Sequence, residues 1–166
     1  MVHIHRLRKD FAPYEQIMYP TTGTDVISVG DILVVASNKA RPASFVTDAD
    51  IGGAPTRLTN VQDGVADTFI GVTMSAKPST STPDVRVAVR GVFELSCAAL
   101  QSAAHVGDGV EITGSDDATT CTAVPSVVSV GATNKIGKLV KEAAASDTTL
   151  MVEMLGLHVK IPVVAD

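Results

Sequence analysis

Apolar and polar positions alternate with a period of two over much of this chain, and one such pattern occurs twice, over residues 69–95 and 135–157. The first copy runs Phe69-Ile70-Gly71-Val72-Thr73-Met74, a polar turn over 77–84, then Val85-Arg86-Val87-Ala88-Val89-Arg90-Gly91-Val92-Phe93-Glu94-Leu95. The second runs Lys135-Ile136-Gly137-Lys138-Leu139-Val140, a turn over 143–148, then Leu150-Met151-Val152-Glu153-Met154-Leu155-Gly156-Leu157. Successive side chains of a strand point to opposite faces, so each copy reads as strand, turn, strand with one face buried. A Val-Gly-Asp turn precedes each copy, at 29–31 and 106–108, and leads into a further strand, Ile32-Leu33-Val34-Val35 or Val110-Glu111-Ile112-Thr113. Two similar β-units folded on one another predict a mainly β protein, a small barrel or sandwich. Gly30, Gly71, Gly91, Gly107 and Gly137 recur at matching places and are the expected structural turns and bulges.

Residues 1–22 break this pattern and are expected to form an extended N-terminal arm ahead of one domain over 23–166. Residues 1–10 alternate apolar and charged side chains. Phe11, Tyr14 and Tyr19, half of the chain's six aromatics, then fall between Pro13 and Pro20 or close by. Proline resists helix interiors and central strands, which favours an extended path. Residues 47–67 are rich in Gly, Asp, Asn and Pro and read as a long surface excursion, with a short strand near 56–58. The Ala-rich stretch 97–104 reads as one short helix. The tail, through Leu157, Val159, Ile161 and Pro162, reads as an edge strand available to the arm or to a neighbouring subunit.

Composition narrows the class of function. The 166 residues fit one domain, hydrophobic content is 45%, Trp is absent and aromatics are 4%, so the core is assembled from small and β-branched side chains. Such a core gains from being braced by another subunit. The net charge of −5 argues against nucleic acid as the main partner, because phosphate binding needs a basic surface. The only basic concentration is His3, His5, Arg6, Arg8 and Lys9. No apolar run approaches the roughly 20 residues of a membrane span, and charged residues interrupt any signal-peptide core, so a soluble, cytosolically synthesised protein with no membrane partner is expected.

No catalytic or cofactor pattern stands out. The glycines match no phosphate-binding loop. His3 and His5 project from one face of the arm but lack a third ligand. His105 and His158 have no nucleophile motif beside them. Asp108, Glu111, Asp116 and Asp117 lack calcium-loop spacing and read as a solvated acidic face. Cys97 and Cys121 read as buried free thiols. The expectation is therefore of no enzyme, no metal and no cofactor.

Residues 89–95, Val-Arg-Gly-Val-Phe-Glu-Leu, with Val29-Gly30-Asp31, Ile70-Gly71-Val72, Val106-Gly107-Asp108-Gly109-Val110, Ile136-Gly137 and the hairpin over 143–155, resemble the capsid decoration proteins of tailed bacteriophages, also called head-stabilising or cement proteins. The resemblance spans roughly residues 26–156, in order. It implies a small β-barrel, β-tulip-like fold and homotrimers at three-fold positions on the outer capsid surface. It also implies that the arm contacts the major capsid protein or a neighbour. Carried onto this chain, the contact candidates are His5, Arg6, Arg8, Phe11, Tyr14 and Tyr19. The arm and the 47–67 excursion exceed that pattern. Two other classes compete. One is a β-sandwich binding module for carbohydrate or surface recognition, disfavoured by so few aromatics. The other is a small hydrolase, disfavoured by the missing nucleophile motif.

Overall fold

The computed structural model describes residues 15–47, 57–116, 121–131, 133 and 135–155. These form strands β1 (Glu15–Tyr19), β2 (Ile32–Ala36), β3 (Lys39–Pro42), β4 (Phe69–Thr73), β5 (Val85–Cys97), β6 (Gly109–Asp116), β7 (Cys121–Val130), β8 (Gly137–Leu139) and β9 (Thr149–Leu155), with helix α1 (Arg57–Thr68). The protein is mainly β, as its alternating pattern predicts. The strand order β5-β7-β6-β8-β9 returns to β5 through a seven-residue antiparallel ladder from Arg90↔Leu155 to Ser96↔Thr149, closing a five-stranded barrel.

The other strands repeat that order on the first half of β5. β4 pairs with β5, β2 with β4 and β3 with β2, while β1 lies antiparallel to β5 from Glu15↔Arg90 to Tyr19↔Val85. A single parallel bridge, Thr21↔Ala40, joins the β1 end to β3, where the barrel has the parallel pair β5–β7. The two halves match atom by atom at their turns. Gly30 and Gly107 have φ of 94° and 96°. Their N–H groups donate to the carbonyls of Thr73 and Leu139, each at 2.9 Å. Asp31 and Asp108 carboxylates accept from the N–H of Ser28 and His105 at 2.7 and 2.8 Å. The bridges Ile27↔Lys77 and Ala104↔Ala143 correspond as well.

β5 is thus a strand held in common. Val85, Val87 and Val89 pack into a core with Ile27, Leu33, Ala40 and Ile70. Phe93, Leu95 and Cys97, on the same alternation, pack into a second core with Val110, Ile112, Val128, Leu139, Leu150 and Val152. Gly91, with φ of 153°, stands between the two sets. Besides Phe69 and Phe93, the buried clusters are built mainly from small and β-branched side chains; each buried Val or Leu contributes about 1.5–3 kcal/mol.

Two expectations are corrected. The helix is α1, inside the stretch read as an excursion, and the short strand near 56–58 is not formed, since Arg57 and Leu58 are helical. Val61, Gln62 and Val65 form the buried side of α1, and the Gln62 amide donates to the Ile112 carbonyl at 3.0 Å, seating the helix on β6. The Ala-rich stretch is not helical: Cys97 ends β5 and Ala104 makes a bridge. Residues 98, 99 and 101–103 are exposed, so no apolar face exists to support helix propensity. Within the expected extended arm, residues 15–19 run as a strand along β5. Residues 1–14, 48–56 and 156–166 lie outside the described part of the chain.

Candidate interaction surface

The matched turns carry matched apolar tips. Val29 and Val106 precede the two glycines and are 43% and 58% exposed, while the Asp carboxylates hold each turn in place. Val26 and, on the outer face of β1, Met18 at 57% exposure add to the apolar surface. Single exposed apolar residues are ordinary. Here two stand at equivalent positions on rigid turns.

The halves differ in what braces these turns. In the first, Lys77 occupies the place of Ala143 and is buried, its ammonium donating to the carbonyls of Asp25 and Pro78. The Asp25 carboxylate accepts from Arg41 Nε and Nη2 at 2.7 and 2.8 Å and from the Thr22 hydroxyl at 2.8 Å. The Arg41 guanidinium lies 3.5 Å over the Phe45 ring. Hydrogen bonding from Arg41 holds the Asp25 carboxyl below its ordinary 3.8, against the opposing effect of burial. In the second half the brace is exposed. Glu142 accepts from the Val106 N–H at 3.2 Å and meets His105 Nδ1 at 2.8 Å, and these contacts, the backbone one first, lower its pKa.

The Asp25 brace makes stability depend on acid. A carboxyl whose folded pKa is depressed contributes stability that is present above its unfolded pKa and lost as pH falls through the folded value. Asp25→Ala is expected to cost about 1.5–3 kcal/mol at pH 7, the range for hydrogen bonds to a charged group. It should also flatten the loss of stability below pH 3.8. Urea midpoints across pH 2–7 check this; parallel curves for the two proteins would refute it.

Two concavities complete the surface. One, of about 830 Å³, is an open apolar groove floored by Val34, Val35 and Ala36 of β2 and by Phe45 and Val46, with Asp63, Gly64, Asp67 and Thr68 of α1 as its other wall. The other, of about 260 Å³, is polar and lined by Glu94, Lys141, Glu142, Asp147 and Thr149 among others. Among the described residues no group of three or more His, Cys, Asp or Glu side chains is placed to hold a metal. Cys97 and Cys121 are buried and not joined in a disulfide; burial and then the Asp147 charge push the Cys97 thiol above its ordinary 9.0, which keeps it protonated.

The anticipated contact residues are divided by the structure. Tyr19 lies in β1 opposite Val85 and packs partly buried on the first core, which holds the strand down. His5, Arg6, Arg8, Phe11 and Tyr14 lie outside the described residues. Of the anticipated turn glycines, Gly30, Gly71, Gly91 and Gly107 have positive φ. Gly137 is set by crowding instead, since a Cβ there would lie 2.6 Å from Val152 Cγ1 and 2.7 Å from the Glu153 carbonyl oxygen. The acidic face also separates: Asp108 holds its turn, and Glu111 is buried and accepts from the Thr133 N–H at 2.8 Å. The groove was missed because its wall is the unforeseen helix. No family model matches the chain, and no curated protein matches it.

Proposed function

We propose that this chain is a structural virion protein that binds the outer surface of a tailed-bacteriophage capsid and stabilises the mature head, as homotrimers at three-fold positions on the major capsid protein. The observation that supports this is where the resembling segments fall. Residues 29–31, 70–72, 89–95, 106–110, 136–137 and 143–155 are the turns and strands from which the two matched halves are built. The role requires no catalytic group and no cofactor. It requires a rigid body with apolar contact points, for which Val29, Val106 and Met18 are the candidates, and an arm to reach the capsid or a neighbouring copy.

A protein that binds only the mature lattice stabilises it by mass action. A trimer multiplies modest contacts by raising the effective concentration of the second and third. The protein is made in the host cytoplasm and ends on the particle surface. Purified protein mixed with undecorated heads is expected to co-sediment with them and to add density at three-fold positions in cryo-electron microscopy. A protein left in the supernatant, or density elsewhere on the particle, would overturn the proposal.

A further inference from the structure

We infer that the apolar groove between β2 and α1 is the docking site for residues 2–9 of this chain, Val-His-Ile-His-Arg-Leu-Arg-Lys. This concerns the free protein, before its arm meets a capsid or a neighbouring copy.

The groove has two chemistries. Its floor is aliphatic and aromatic, with Phe45 40% exposed. Its helical wall carries Asp63 and Asp67, both exposed and four residues apart, with Gly64 beside them lowering the wall. Like charges at this spacing repel one another, and no described cation is ion-paired with either. An occupant should therefore be apolar along one part and carry two cations along the next.

The basic concentration of the chain meets both requirements. In an extended segment Val2, Ile4, Arg6 and Arg8 share one face, two apolar residues followed by two arginines. Residues two apart on a strand lie ~6.6 Å apart, and residues four apart on a helix rise ~6 Å. Arg6 and Arg8 thus match the spacing of Asp63 and Asp67 while Val2 and Ile4 cover the floor. A short linker joins this segment to the described strands. The described part begins at Glu15, and the intervening residues 10–14 span up to ~17 Å when extended.

Trypsin reads the docking directly, because it cuts after Arg6, Arg8 and Lys9. In the full-length protein at low salt, release of the N-terminal fragments, followed by mass spectrometry, is expected to be slow. It should accelerate at least fivefold in the double variant Asp63→Asn, Asp67→Asn and at 0.5 M NaCl, where exposed ion pairs are screened. Asp84→Asn, which removes an exposed charge elsewhere, should leave the rate unchanged. Circular dichroism of each variant establishes that the barrel persists. Equal cleavage of the wild type and the double variant, or an equal acceleration by Asp84→Asn, would overturn the inference.

Discussion

Gly71→Ala is expected to destabilise the protein by about 4 kcal/mol, combining backbone strain with overpacking of a filled site, whereas Gly107→Ala should cost about 1–2 kcal/mol. Both glycines have positive φ, 149° and 96°, and the surroundings separate them. A Cβ on Gly71 would lie 2.2 Å from the Ala88 carbonyl oxygen and 2.8 Å from Val87 Cγ1; on Gly107 it would meet nothing within 4 Å. The obstacle at Gly71 is the backbone of β5, which cannot withdraw without breaking the Val72↔Ala88 pairing. At Gly107 only the conformational cost remains. Stabilities of single domains lie near 5–15 kcal/mol, so the first change consumes much of the total. Urea midpoints of the two variants check this, and coincident midpoints would show that the close approach does not govern the site.

The second large effect concerns β1. Removing residues 1–19 should lower the melting temperature by roughly 10 °C relative to removing residues 1–14, on the order of 4 kcal/mol for a domain of this size. The five residues in question pair along β5, and Ile17 and Tyr19 cover the core formed by Val85, Val87 and Val89. Without them the first half of β5 has an uncovered edge and its core is open to water. Thermal unfolding of the two truncated proteins, followed by circular dichroism, is the measurement. Superimposable melts would mean that β1 adds nothing to the fold and that the whole of 1–22 behaves as an arm.

Much of the barrel was legible in the sequence because alternation and turn chemistry both point the same way. Val85, Val87 and Val89 announce a buried face, and the two Val-Gly-Asp turns announce where strands begin. The correspondence between β1 and the second half of β5 was not legible. Glu15, Gln16 and Met18 are exposed, so only Ile17 and Tyr19 mark a buried side, and two prolines flank the strand. Helix α1 did carry a signal, since Val61 and Val65 are four residues apart, but Asn60, Asp63 and Gly64 read as turn residues and masked it. Conversely, the alanines after Cys97 have high helix propensity and no core to face, and tertiary context decided against them. The groove depends on Phe45 and Asp67 meeting across the fold, a juxtaposition that no local pattern encodes.

The shared strand also sets an order of assembly during synthesis. Once Cys97 has left the ribosome, every strand of the first half is present, and β1, β4 and the first part of β5 can pair while translation continues. The second part, from Val92 to Cys97, has no antiparallel partner until Thr149–Leu155 emerges. Through that interval a β-prone run containing Phe93 and Leu95 presents an unpaired edge, the kind of segment that recruits another chain. Glu94 within it and the flanking Arg90 are the charges that oppose such pairing. The halves therefore match in architecture but not in history: one closes early on itself, and the other waits for β9.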